Sequence, residues 1–396
     1  MTVAIYLDHA ATSPMPPGVI AAYAEALAVV GNPSSIHSQG QNARRMLEEA
    51  REAVAASVGA DSVEVTFTSG GTEAINLAVK GLFWSTERNR ILATRAEHHA
   101  TIDTLDWLEQ HEGAIIEWMP VDSLGRVNLD ALAEALGPDV ALVTTLLANN
   151  EVGTIQPVAE IVALALAHQV PVHADAVSAY GQLPIDFRAS GLAALSISAH
   201  KVGGPVGIGA LIIARDATVT PLMHGGNQQR ARSGTLDAAG AVAFGVAASA
   251  AACAAAGTAT PATPATPAFG ATHTNPLADL RDHLIAGIRS AIPTAELRGD
   301  RHDRLPGNVH FTFPGCEGDS LLFLLDAAGF SVSTGSACQA GVPEASHVLL
   351  AMGLSEQDAR GALRFSLAPS TTRAELDALI AALPAIVDRA RSAGLA

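Results

Sequence analysis

The chain is nearly without lysine. Lys80 and Lys201 are the only two in 396 residues, and every other basic side chain is arginine or histidine. Charged residues amount to 16% of the sequence, and Asp plus Glu outnumber Lys plus Arg by 39 to 23, for a formal net charge of -16. A surface with no basic stripe has no means of displacing counterions from a polyanion, which excludes nucleic acid and anionic membrane as partners. Cysteine is scarce as well: Cys253, Cys316 and Cys338 form no C-x-x-C pair. Three such thiols exclude a cysteine zinc site and a four-cysteine iron–sulfur site, and their odd number leaves at least one thiol free. His98 and His99 stand together without H-E-x-x-H spacing, so no metal is expected. The stretch from Met1 to Asp8 has neither a basic region nor a long apolar core. No secretory signal is therefore expected, and the protein reads as cytoplasmic.

Hydrophobic residues, at 49%, are abundant. A chain of this length and composition buries a large core and forms two domains, or one large domain with a smaller appendage. The only long apolar run is the uncharged stretch of 41 residues from Ala238 to Ala278. Its first part, to Gly257, is mostly alanine, whose transfer into lipid is weakly driven. It reads as a buried helix between domains or subunits, not a membrane span. The Ala-Thr-Pro repeat from Thr258 to Pro267 cannot build a core and reads as an extended surface insertion. Cys253, in the alanine run, is expected to be packing, and Cys316 falls in a Pro-Gly turn.

Short apolar segments alternate with helical ones through the middle of the chain. Strands are expected at 64–68, 90–94, 114–119, 140–147, 170–174, 195–198 and 208–214, with helices such as 38–57 between them. That alternation predicts an α/β fold whose mainly parallel sheet is covered on both faces. Ligands of such sheets bind at the carboxyl ends of the strands. His98, the run Asn149-Asn150-Glu151, Asp175, and His200 with Lys201 all fall just after predicted strands. Ser69-Gly70-Gly71-Thr72-Glu73 joins a strand to a helix N-terminus, where free backbone N–H groups and the helix dipole favour an anion.

Lys201 lies in Ser198-Ala199-His200-Lys201-Val202-Gly203-Gly204-Pro205. An amine kept at one such place, in a chain that otherwise uses arginine, can lose its proton when desolvated and condense with a carbonyl. Pyridoxal phosphate is the commonest cofactor that exploits this. Its site also needs a carboxylate for the pyridinium nitrogen, a phosphate cup and usually a ring over the cofactor face. Asp175, the Gly71 turn and His98 supply the residue types.

The motifs Tyr6-Leu7-Asp8-His9-Ala10-Ala11-Thr12, Gly31-Asn32-Pro33-Ser34-Ser35, Thr68-Ser69-Gly70-Gly71-Thr72-Glu73, Glu97-His98-His99-Ala100, Asn149-Asn150-Glu151-Val152-Gly153, His173-Ala174-Asp175-Ala176, Ser198-Ala199-His200-Lys201, Arg232-Ser233-Gly234-Thr235, Gly335-Ser336-Ala337-Cys338 and Leu363-Arg364-Phe365-Ser366 follow one another over nearly the whole chain. In this the sequence resembles the cysteine desulfurases, in the class V aminotransferase group of fold-type I pyridoxal-phosphate enzymes, longer-loop branch. The resemblance implies a large cofactor-binding domain at 15–257, an insertion or linker at 258–276, and a smaller α+β domain from 1–14 and 277–396. It implies that Lys201 holds the cofactor and acts as acid and base, that Asp175 pairs with the pyridinium nitrogen, and that His98 stacks on the ring; because a free thiol is largely protonated at neutral pH, a nearby base such as His98 is expected to take the thiol proton. Gly71, Thr72, Ser198 and His200 would hold the phosphate, with Thr235 lent by the partner of a homodimer. Asn150 would sit by the ring hydroxyl and substrate, Arg364 would clamp the L-cysteine carboxylate, and Cys338 would receive the sulfur. A protein acceptor, for iron–sulfur assembly or tRNA thiolation, would take it onward. Selenocysteine lyase and a non-catalytic scaffold are the alternatives.

Two positions depart from the family's usual pattern. Ser178 stands where a glutamine ordinarily hydrogen-bonds the cofactor hydroxyl, and it is too short for that contact without a backbone shift or a water. Gly225-Gly226-Asn227-Gln228-Gln229 ends in glutamine where a glutamate is usual.

Overall fold

The computed structural model describes residues 4–256, 275–335 and 345–394. The Ala-Thr-Pro repeat and Cys338 lie outside the described residues. The strands are β1 (Ile5–Tyr6), β2 (Val65–Thr68), β3 (Arg90–Thr94), β4 (Ile115–Met119), β5 (Val140–Leu146), β6 (Val172–Asp175), β7 (Ala194–Ser198), β8 (Gly209–Ile213), β9 (Glu296–Leu297), β10 (Asn308–Thr312), β11 (Phe330–Ser331) and β12 (Ala362–Ser366). Seven of them form one sheet in the order β2-β8-β7-β6-β5-β3-β4. From β7 to β4 every neighbour is parallel, and β8 runs antiparallel to both β7 and β2. The mainly parallel α/β sheet expected from the alternation is therefore present.

Burial explains its composition. Each residue of β5, Val-Ala-Leu-Val-Thr-Thr-Leu, is buried, because helices cover both faces and neither face needs a polar residue. One polar side chain inside this sheet is satisfied on both sides. His173 of β6 bonds Thr144 Oγ1 at 2.9 Å on one side and Ser196 Oγ at 2.9 Å on the other. Burial alone pushes its pKa down to about 3, which keeps the ring neutral. Parallel register then brings Leu146, Asp175 and Ser196 side by side. The ends of β5, β6 and β7 thus form a common edge.

A second core gathers around β10, which lies between β12 and β9 in an antiparallel sheet. Phe311, Phe313, Phe365, Leu284 and Leu379 pack there, together with Leu7 from the start of the chain. β1 joins this region by pairing in parallel with β11. β9 has only two residues and no periodicity by which the sequence announces it.

The helix Ala238–Ala256 is long and apolar enough, over Ala238–Ala255, to cross a membrane by length and composition. It packs against the helices Pro17–Leu27 and Ser38–Ser57. Gly245 is the reason for the close approach: a Cβ there would stand 3.1 Å from Ala50 Cα. Phe244, Ala247 and Ala248 are fully buried on that side. Small residues here serve helix packing. Cys253 on the same helix is half-buried, whereas Cys316 is buried beneath the C-terminal helix with its Sγ 3.7 Å from Val387 O.

Candidate active site

The strand ends line a cavity of about 390 Å³. Gly71, Thr72, His98, Asn150, Asp175, Ser178, Ser198, His200, Lys201 and Arg364, all singled out from the sequence, face it together. Thr235 does not; it is exposed on a separate loop. Cys338 lies outside the described residues, although Gly335, three positions before it, lines the cavity.

Lys201 sits on a short turn, Ala199–Val202, that directly follows β7. Gly203 ends the turn with φ +77°, and a Cβ at that position would meet Pro14 O at 3.0 Å, so the residue after the turn has to be glycine. The ammonium donates to the Ala10 carbonyl and, at 3.1 Å, to Ala11 O. Burial first, and then the Arg364 charge, lowers its pKa to about 8 despite the opposing pull of Asp175 and Asp8. An amine so placed carries an appreciable neutral fraction near neutral pH, which a nucleophile or base requires.

Asp175, the last residue of β6, is 2% exposed and accepts from Val177 N at 2.9 Å. Burial raises its pKa to about 6, with Val177 N–H and Lys201 opposing. A cation set against this carboxylate would keep it ionised. His98 begins the helix His99–Glu112, and its Nδ1 accepts from Ala100 N at 3.0 Å. Its ring is open to the cavity but enclosed by protein, and burial together with Lys201 takes the pKa down to about 4. The neutral ring therefore carries its proton on Nε2, with its lone pair engaged by the helix. It is suited to stacking; as a proton acceptor it would have to release that cap.

The floor is prepared for an anion. The helix Gly71–Phe83 points its N-terminus at the cavity, and Gly71 admits no side chain, since a Cβ would lie 2.8 Å from Val177 Cγ2. Beside it Ser198 Oγ is buried without a hydrogen-bond partner among the described residues. His200 Nδ1 lies 3.3 Å from Thr12 Oγ1, and burial lowers the ring's pKa to about 4.

The opposite wall comes from the ends of the chain. Arg364 on β12 donates to Asn150 O at 3.0 Å and pairs with Asp8 Oδ1 at 3.0 Å, leaving Nε buried and unpartnered among the described residues. Sequence reasoning missed Asp8, which aims this guanidinium, and also His347. Glu151 is 1% exposed and accepts from Ser346 Oγ, and His347 Nε2 donates to Glu97 O at 2.8 Å. Asp8 lies within a motif already quoted, which was the available signal, and Glu151 belongs to the run singled out after a strand. Gln229, the other departure, has its own logic: its amide both accepts from Phe67 N at 3.0 Å and donates to Phe67 O at 2.6 Å, which a glutamate cannot do.

A buried lysine at a strand end, a carboxylate beside it, an orphaned serine hydroxyl and a helix N-terminus are the donor set that pyridoxal phosphate requires, and these residues fit it. Fold and site together are those of a fold-type I pyridoxal-phosphate-dependent enzyme. The model of the family described as aminotransferase class-V matches residues 5–379, and the chain belongs to that family. An "IscS-like cysteine desulfurase" of Mycobacterium tuberculosis (strain ATCC 25618 / H37Rv) is 50% identical over 400 residues, covering 99% of this chain and 98% of its own. Among solved structures, a "NIFS-like protein" superposes with a TM-score of 0.87 at 31% identity, over 98% of this chain and all of that one. A structure described as "SspA in complex with cysteine" superposes with a TM-score of 0.77 at 30% identity, over 93% of this chain and 100% of that chain.

Proposed function

We propose that this enzyme is a cysteine desulfurase that converts L-cysteine to L-alanine and passes the sulfur to Cys338 as a persulfide. The observation that carries the reading is the convergence of Lys201, Asp175 and Arg364 on one cavity, in a chain so similar along its length to desulfurases. Pyridoxal phosphate, when bound, supplies a ring that withdraws electrons from the substrate Cα. Lys201 holds the cofactor and carries protons at Cα and Cβ, for which its lowered pKa fits it. Asp175 balances the ring nitrogen, and His98 offers a neutral face. Gly71, Thr72, Ser198 and His200 receive the phosphate, joined by Thr235 of a second copy in a homodimer. Arg364 binds the substrate carboxylate through the fork geometry suited to it, and Asn150 adjoins both ring hydroxyl and substrate.

In the sulfur step the Cys338 thiolate attacks the substrate sulfur. The Cβ–S bond breaks, an S–S bond forms, and Cβ gains a proton, so that L-cysteine and a thiol become L-alanine and a persulfide. Only the thiolate is nucleophilic. A cytoplasmic protein acceptor, in iron–sulfur cluster assembly or tRNA thiolation, then takes the sulfur. The test is the absorbance spectrum of the purified protein, followed by sulfide and alanine assays on wild type and Cys338→Ser. A yellow protein forming both products, with sulfide release lost in the variant, is expected. Undiminished sulfide release from Cys338→Ser would overturn the role of that thiol, and a colourless protein inactive with added cofactor would overturn the desulfurase.

A further inference from the structure

Behind Lys201 a second, much smaller cavity adjoins the main one. It shares Asn150, Ser178 and Lys201 with the main cavity, and Tyr180, Gln182 and Asn308 line it as well. Its volume of about 20 Å³ exceeds the 10–15 Å³ or so that one water needs. Two oxygens on its lining residues, Asn150 Oδ1 and Asn308 Oδ1, are buried without a hydrogen-bond partner among the described residues.

Several polar groups on the lining already have partners. Gln182 Nε2 donates to Ser178 O at 3.3 Å while its Oε1 accepts from Gly307 N at 3.0 Å. The Tyr180 hydroxyl pairs with Ser57 Oγ at 2.7 Å. Lys201 Nζ faces the Ala10 and Ala11 carbonyls. Asn308 cannot turn its amide round, because Nδ2 donates to Glu151 O at 3.0 Å. The Ser178 hydroxyl also lines the annex, and one O–H cannot serve two acceptors.

We propose that an ordered water occupies this annex, donating to Asn150 Oδ1 and Asn308 Oδ1 and accepting from Ser178 Oγ. Ser178 is then a positioning residue. Through the water it fixes the Asn150 amide and turns its Nδ2 toward the main cavity. This second step rests on the reading that the main cavity holds pyridoxal phosphate with Asn150 at its ring hydroxyl; the water itself does not. Serine thus acts on the ring hydroxyl indirectly, through the water and the Asn150 amide.

Crystal structures of the cofactor-free wild type and of Ser178→Gln test the water. A single peak within hydrogen-bond distance of all three groups is expected in wild type, and in Ser178→Gln the side chain should replace it. A wild-type annex without density would overturn the proposal. On the holoprotein, the pH titration of the cofactor's visible band tests the coupling. Ser178→Ala should shift the midpoint by at least about 0.5 pH unit, and Ser178→Gln should bring it back toward wild type. An unchanged midpoint in Ser178→Ala would overturn the positioning role. Failure of wild type to take up pyridoxal phosphate would sink the proposed function while leaving the crystallographic test of the water intact.

Discussion

The two walls of the cavity hold their charged groups in opposite ways. On the wall built from the large sheet, burial pushes Lys201 down to about 8, Asp175 up to about 6 and His98 down to about 4, each toward its neutral form. On the facing wall Arg364, only 7% exposed in its side chain, is bound to Asp8 and to the Asn150 carbonyl. Desolvation without full pairing prepares a group to exchange protons, whereas desolvation with pairing prepares it to recognise a charge. On the function proposed above, the first wall would do the chemistry and the second would hold the substrate.

Removing the centre of the first wall should break the comparison most completely. Lys201→Ala is expected to lower alanine formation at least about 10³-fold, since nucleophile and proton carrier go together. The visible absorbance should go with it, because Lys80 stands over Trp107, 4.1 Å from its ring centroid, and not in the cavity. Activity retained in Lys201→Ala would mean that another group does the proton work. On the second wall Arg364→Lys keeps the charge and loses the fork, so kcat/KM for L-cysteine should fall about 10- to 100-fold, mainly through KM. Asp8→Asn should show a weaker version of the same pattern. A loss confined to kcat in Arg364→Lys would place the arginine on the chemical side instead.

The same division governs what the sequence disclosed. Residues of the first wall were legible because β3, β5, β6 and β7 are parallel and each ends at one edge, so an ordinary strand pattern already gathers His98, Asn150, Asp175 and Lys201. The helix 38–57 was legible to the residue. The second wall was legible only in part. Arg364 came with a motif, but the carbonyls of Ala10 and Ala11 that receive Lys201 have no side-chain signature and lie some 190 residues away in sequence. Asp8 and Arg364 are 356 positions apart, and no local periodicity records such a pairing. Ser178 was visible as a departure, whereas the annex beside it is a property of packing alone.

Glu97 extends the first wall's logic to stability. It is 1% exposed, accepts from Thr94 Oγ1 at 2.8 Å, and burial raises its pKa to about 8. The folded state therefore binds more protons than the unfolded state between about pH 4.5 and 8, and stability must fall as pH rises through that window. The contribution is fully present below 4.5 or so and lost above about 8. Tm should drop more between pH 5 and pH 8.5 in wild type than in Glu97→Gln, in which the group cannot ionise. Equal slopes would mean that the carboxyl is charged throughout.

The smallest effect tests whether the two walls touch electrically. With only two lysines, acylation of the cofactor-free protein can be followed residue by residue in a mass spectrum. Labelling tracks the neutral amine, so Lys201 should be half-maximally reactive near pH 8, and Lys80 only at higher pH than Lys201. The Arg364 guanidinium lowers the Lys201 value while the Asp175 carboxylate raises it. Arg364→Gln should therefore move the midpoint upward and Asp175→Asn should move it downward, each by a fraction of a pH unit or more. Identical midpoints in all three proteins would show that burial alone sets the amine's pKa, and that the substrate wall leaves the acid–base wall untouched until a ligand joins them.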